Sequence, residues 1–308
     1  MIENHHIPVL LNESLDYLIT NKSGNYFEGT LGFGGHSAEI LKVLCDKGLL
    51  VSTDVDQFAF EFCKDRFDKE NRVCLYNFNF SLIDVIAKIE SIKFFDGVIA
   101  DLGVSSFQID NSSAGFTYSA DAPLDMRMDK NLKTTAADIV NSFDEENLAK
   151  IIYEFGEERK SRKIARQIVD ERQHKKFKTT GELKRLIAQI TPDRFRVKTL
   201  SRVFQALRIQ VNNELEYLKQ FLSNSLKVLK PGGRLVIIAY HSLEDRIVKD
   251  FFKYETLSCI CPKEVPVCNC EKESRLKIIT KKPVLPTDIE IENNSRARSA
   301  KLRAAERI

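Results

Sequence analysis

Short apolar runs alternate with helical patterns through the first hundred or so residues, and this alternation restricts the chain to an α/β fold with a mostly parallel sheet. Residues 26–28, 49–53, 73–76 and 95–101 read as four strands, with helices over 36–47, 58–68 and 82–91 and a short amphipathic helix before them over 9–19. The fifth strand, 235–240, follows the turn Lys230-Pro231-Gly232-Gly233-Arg234, and a helix over 213–229 precedes that turn. About a hundred residues thus separate strands four and five, where one crossover needs about 30. Their pattern is mostly helical, with helices expected at 136–140, 145–153, 159–172, 181–190 and 203–211. We therefore expect a discontinuous sheet domain, 1–104 with 206–308, and an inserted, mostly helical domain over 105–205. A helix over 244–254 and a closing antiparallel pair, 276–280 with 300–308, complete the sheet domain.

A chain of 308 residues, 43% hydrophobic and 30% charged, can bury one large core or two moderate ones. No stretch approaches the ~18 apolar residues of a membrane span, and Met1–His6 lacks a basic leader, so a cytoplasmic location and no membrane partner are expected. Seven cysteines, an odd number, fit a reducing compartment better than a disulfide framework. Four of them, Cys259, Cys261, Cys268 and Cys270, crowd into one C-x-C-x₆-C-x-C stretch. Four thiolates suit tetrahedral zinc, yet the usual spacing is C-x₂-C. The sequence leaves a metal site and a reduced surface loop both open and assigns no metal ligand. Charge is unevenly spread: the net value is +3, but residues 159–208 carry sixteen Lys or Arg against four Asp or Glu. Such a cationic stretch fits RNA phosphate and argues against a small neutral substrate.

The segment Glu28-Gly29-Thr30-Leu31-Gly32-Phe33-Gly34-Gly35-His36-Ser37 joins strand one to a helix. Four glycines in seven positions suit close approach of backbone to a nucleotide. A dinucleotide fingerprint wants a third glycine where Ser37 stands, which disfavours NAD. An acid closing strand one ahead of the glycines is instead the arrangement of methyltransferases, whose cofactor lays its methionine part across the loop. Strand two ends at Asp54-Val55-Asp56, and Asp54 is the better placed carboxylate for two ribose hydroxyls. Phe80, past strand three, offers an aromatic edge for adenine; the residue alone reads more readily as core.

Strand four ends in Asp101, followed by Leu102-Gly103-Val104-Ser105-Ser106 and Gln108, at the sheet edge where open α/β folds bind ligands. An acid there can accept a hydrogen bond from an exocyclic amine and orient its lone pair, or it can simply hold the cofactor or cap a turn. Strand five delivers Tyr240 and His241 to the same edge, where they suit a base pocket. Ser242 with Asp245 three residues later reads as a capping box.

Taken in order, these blocks resemble the 16S rRNA (cytosine-N4) methyltransferase family. The likeness runs through His6-Ile7-Pro8-Val9-Leu10-Leu11, the glycine segment, Asp101–Ser106, Pro123-Leu124-Asp125-Met126-Arg127-Met128, Tyr153-Glu154-Phe155-Gly156-Glu157-Glu158-Arg159, Tyr240–Arg246 and Ser295–Arg303. The resemblance implies a class I S-adenosylmethionine methyltransferase fold, Rossmann-like, with cofactor contacts at Gly34, Gly35, His36, Asp54, Phe80, Asp101 and Gln108. It also implies S-adenosyl-L-methionine as cofactor, the N4 amine of a decoding-site cytidine as acceptor, small-subunit 16S rRNA as partner, and RNA recognition by the inserted domain. Asp101 is the candidate catalytic residue, with Tyr240 and His241 in the substrate pocket. Glu28 stands where the family often has Asp, and Tyr240 where many members have Phe. No Asn/Asp-Pro-Pro-aromatic motif is present, so DNA is the weaker substrate. Two rival readings remain: a methyltransferase with a protein or small-molecule acceptor, and a non-catalytic RNA-binding assembly factor. The oligomeric state is not legible.

Overall fold

Strands buried on both faces read as nearly continuous apolar runs, and three of the strands lie where those runs do. The computed structural model describes residues 8–105, 108, 114–262 and 268–308. Two compact units emerge, Met1–Gly103 with Leu215–Ile308, and Val104–Glu214. The first holds a seven-stranded sheet in the order β3-β2-β1-β4-β5-β7-β6. Its parallel strands are β1 (Asn25–Glu28), β2 (Leu49–Thr53), β3 (Val73–Tyr76), β4 (Phe95–Asp101) and β5 (Leu229–Ala239). The strand β7 (Lys301–Arg307) runs antiparallel to β5 and to β6 (Leu276–Ile278), as expected of the closing pair. This is a mostly parallel, Rossmann-like α/β sheet, as the sequence leads one to expect.

Helices of this unit are α1 (Leu11–Leu18), α2 (Gly35–Val43), α3 (Gln57–Arg66), α4 (Ile83–Ile89), α10 (Glu214–Val228), α11 (Ser242–Glu255) and α12 (Asp288–Asn293). Successive residues of a strand point to opposite faces, so each strand feeds two cores. Phe27, Val51, Val98 and Ile237 pack with Ile83 and Ile86 of α4 and Phe221 and Leu222 of α10. Tyr26, Leu50, Ile99 and Val236 pack on the other face with Leu10, Leu18 and Ile40. Each such large side chain contributes about 1.5–3 kcal/mol. The order reverses between β1 and β4, and ligands of open α/β sheets bind outside the carboxyl ends at such a switch point. Glu28 and Asp101 end those two strands.

The start of β5 departs furthest from the expected strand boundaries. β5 starts at Leu229, which pairs with Phe95, and the next pair is Gly97 with Arg234. The turn residues 230–233 are thus looped out within the strand, with Gly232 at φ +78° and Lys230 ion-paired to Asp96.

The second unit is built from α5 (Ala136–Ser142), α6 (Glu145–Glu154), α7 (Ser161–His174), α8 (Thr180–Ile190) and α9 (Asp193–Asn212). Leu148, Ile152, Ile164, Ile168, Leu183 and Phe204 form its core. Reciprocal caps start two helices, Thr135 with Asp138 and Thr179 with Glu182. α9 begins ten residues before the expected 203, because its first turns expose Phe195 and Val197 and show no apolar stripe. It runs unbroken past residue 205, so the unit continues to Glu214. The block Pro123–Met128 is held inside this unit: Asn212 donates to Met126 O (2.8 Å) and accepts from Met128 N (2.8 Å), while Asp125 pairs with Arg127 (2.7 Å).

Candidate active site

The glycine segment leaves β1 and enters α2, whose first-turn N–H groups have no partners within the helix. Gly34 is the N-cap of α2 at φ +74°, and a Cβ added there would lie 2.6 Å from the Phe67 ring. A Cβ on Gly35 would come within 2.7 Å of Pro8. These two glycines are therefore required by packing of the protein against itself. Gly32 differs: it is left-handed at φ +50°, and an added Cβ would meet nothing within 4 Å. It is the loop position that opens onto free space, and nothing in the sequence pattern singles it out.

Two carboxylates brace this loop. Glu28 is buried, and Ser37 and Ser52 both donate to its Oε2, the latter at 2.9 Å. Burial pushes its pKa up to about 8. Asp54 accepts from Gly32 N (2.7 Å) through Oδ2 and from Asp56 N (2.9 Å) through Oδ1, and burial raises its pKa to about 6. Asp56 is the N-cap of α3, accepting from Phe58 N at 2.9 Å. Asp54 is thus the acid joined to the glycines. Phe80 is partly buried edge-on against Phe221, with ring centroids 4.8 Å apart, and its Cβ lies 2.9 Å from where a Gly29 Cβ would stand.

Asp101 ends β4 with its side chain 15% exposed. Its backbone N–H donates to Thr30 Oγ1 (2.7 Å), tying it to the loop, and Tyr240 OH donates to its Oδ1 (2.8 Å). The other oxygen, Oδ2, lies 3.9 Å from Nδ1 of His36, a buried ring whose Nε2 is 3.2 Å from Val9 O. Burial raises Asp101 to about 7, with the Tyr240 hydrogen bond opposing that rise and Glu244 adding to it. Tyr240 is itself pushed well above its usual value by burial and by the Asp101 charge.

His241, not Ser242, is the N-cap of α11, and Glu244, not Asp245, closes the box. His241 Nδ1 accepts from Glu244 N (3.3 Å), while Glu244 Oε2 accepts from Tyr240 N (2.9 Å) and His241 N (3.3 Å). An imidazole nitrogen serves as the capping acceptor here, a role normally filled by the oxygens of Ser, Thr, Asp or Asn. Asp245 instead takes a two-point contact from Arg303, at 2.6 and 3.3 Å, which explains part of the C-terminal block. Gln108 is in the second unit, where it exchanges hydrogen bonds with Ser105 at 3.0 and 3.2 Å. His6, Ile7 and Ser106 of the sequence blocks lie outside the described residues.

In the first unit the structure therefore gathers Gly34, Gly35, His36, Asp54 and Phe80 around the β1 loop, with Asp101 and Tyr240 beside it. Thr30, Ser37, Ser52 and Glu244 support them. Thr30, Ser37 and Glu244 lie within the sequence blocks but have no role of their own there, and Ser52 is the β2 partner of Glu28.

The model of the MraW methylase family matches residues 3–308. The ribosomal RNA small subunit methyltransferase H of Caldicellulosiruptor saccharolyticus is 50% identical over 304 residues, covering 98% of this chain and 99% of the relative. The protein of the same name from Fusobacterium nucleatum is 48% identical over 306 residues, with 99% and 98% covered. That of Clostridioides difficile is 47% identical over 312 residues, with both chains fully covered. A whole-chain match, on a sheet whose switch point carries the glycine loop and its acids, makes this chain a member of the MraW methylase family.

Proposed function

We propose that the protein methylates the N4 amine of a cytidine in 16S rRNA of the small ribosomal subunit, using S-adenosylmethionine. The observation that carries the chemistry is Asp101: a strand-end carboxylate tied to the glycine loop through Thr30 and held by Tyr240, with its pKa raised to about 7. The rRNA acceptor is supported by the names of relatives that match along the whole chain, and the cytidine by the sequence blocks.

The residues fit the cofactor. Gly32 opens onto space where a ligand meets no side chain, Asp54 offers a carboxylate for ribose hydroxyls, and Phe80 offers an edge for adenine. Backbone of Gly34, Gly35 and His36 at the start of α2 would receive the methionine part. When bound, S-adenosylmethionine supplies an electrophilic methyl on a positively charged sulfur.

Asp101 Oδ2 then accepts a hydrogen bond from the exocyclic amine, turning its lone pair towards the methyl; alignment at roughly 3 Å is the main requirement of such a displacement. As the N–C bond formed and the methyl–sulfur bond broke, leaving S-adenosylhomocysteine, the amine would shed a proton, and a carboxylate poised near pH 7 is suited to receive it. Tyr240 keeps Oδ1 occupied and so fixes which oxygen works. Tyr240 and the capped His241 would face the base. Exposed Arg159, Lys160, Arg162, Lys163, Lys176 and Lys178 of the second unit offer cations to RNA phosphate.

The test is transfer of labelled methyl from S-adenosylmethionine to undermethylated small subunits, followed by nuclease or protease digestion. Label released by nuclease is expected. Label in protein, or no transfer, contradicts the proposal.

A further inference from the structure

The loop between α11 and β6 holds Cys259, Cys261, Cys268 and Cys270, none of which is used in the site described above. Their four sulfurs all lie within 4.8 Å of one another. The closest separations are 3.4 Å for Cys259 and Cys268, 3.5 Å for Cys268 and Cys270, 3.8 Å for Cys261 and Cys268, and 3.9 Å for Cys259 and Cys270. All four are free thiols, and a disulfide would need about 2.05 Å. Four thiolates around one zinc ion, each at about 2.3 Å, stand about 3.8 Å apart along the edges of a tetrahedron. The observed separations bracket that edge.

A second observation concerns the donors around the sulfurs. Ile260 N–H points to Cys270 Sγ (3.3 Å) and Cys261 N–H to Cys259 Sγ (3.4 Å). Such backbone donors orient and stabilise metal-bound thiolates. Among the described residues, Cys259, Ile260 and Cys268 are exposed, and no hydrophobic core draws these side chains together. At the base of the loop Arg275 pairs with Glu255 (2.6 Å) and its carbonyl accepts from Ile308 N (3.0 Å).

We propose that Cys259, Cys261, Cys268 and Cys270 bind one zinc ion in a closed, structural four-thiolate site that fixes this loop. The C-x-C spacing departs from C-x₂-C, but in three dimensions it delivers the same tetrahedron. Binding releases the thiol protons to solvent and changes no oxidation state. All four positions are taken by protein, which leaves no open one for chemistry.

The test uses the full chain, purified in reductant without chelator and analysed for metal by mass spectrometry. About one zinc per chain is expected, and apo protein titrated with Co²⁺ should develop the saturable thiolate charge-transfer and ligand-field bands of a tetrahedral site. The Cys259→Ser/Cys268→Ser variant should lose both, while Cys45→Ser keeps them. If that double variant does not fold, Cys270→Ser alone should lower the thiolate charge-transfer intensity of the cobalt form. Zinc below about a tenth of stoichiometric with no cobalt bands, full zinc in the double variant, an unchanged cobalt spectrum in Cys270→Ser, or stoichiometric iron in place of zinc would each overturn the proposal.

Discussion

Burial is what sets Asp101 apart from an ordinary surface acid. The same carboxylate at the surface would ionise near 4; in the folded chain it titrates at about 7. Replacing it by Ala or Asn should therefore lower turnover at saturating cofactor by about 10²–10⁴, the usual cost of a positioned acid–base group. Affinity for S-adenosylhomocysteine should change by no more than about tenfold, the worth of one hydrogen bond. Turnover within tenfold of the parent in both variants would reduce Asp101 to a cofactor ligand. The pH profile adds a sign. The ionised form is the acceptor, so turnover should fall as pH drops through about 7. The Tyr240 hydrogen bond holds that pKa down, so Tyr240→Phe should move the limb to higher pH; a move to lower pH contradicts the pairing. Asp101, Asp54 and Glu28 were legible because each closes an apolar run. The Tyr240–Asp101 bond was not, since it joins residues 139 positions apart and no local rule pairs them.

Elements were legible to the degree that burial wrote a period into them. β2, β3 and β4 fall on the expected residues because continuous apolar runs flanked by turns leave little choice. α9 was half legible: its buried stretch with Val203, Phe204 and Leu207 was expected, while its cationic first turns were not. The glycine loop showed its composition but not the duty of each glycine, which depends on what lies above each α-carbon. That difference is testable. Gly32→Ala meets only the left-handed backbone cost of about 1–2 kcal/mol, yet it places a methyl in open space over the loop. It should weaken S-adenosylhomocysteine binding in calorimetry more than it lowers the thermal midpoint. Gly34→Ala also drives a methyl into Phe67, so its thermal midpoint should fall further. Equal midpoints for the two variants would contradict this division of roles.

Across the whole chain, an acidic remainder and one cationic stretch coexist under a net charge of only +3. The structure gives that stretch to α7, α8, α9 and the turns before and between them in the second unit, where Arg162 and Lys163 are exposed and the exposed Arg166 lies 3.4 Å from Glu145. Reversing these three charges should weaken RNA binding and flatten its salt dependence, by roughly 0.7–0.9 in log–log slope for each phosphate no longer neutralised, with cofactor affinity unchanged. An unaltered slope would exclude this face. The existence of an inserted unit was legible from the excess length between strands four and five; its end at Glu214 was not, because a helix that spans a boundary carries no break in its pattern. What the molecule does as a whole comes down to one atom of the acceptor. Small subunits incubated with enzyme and S-adenosylmethionine should yield, after digestion of their 16S rRNA to nucleosides and mass spectrometry, N4-methylcytidine in step with S-adenosylhomocysteine formed. A methyl on the ribose, on a ring carbon or on another base would contradict the role given to Asp101 and to the sheet edge that carries it.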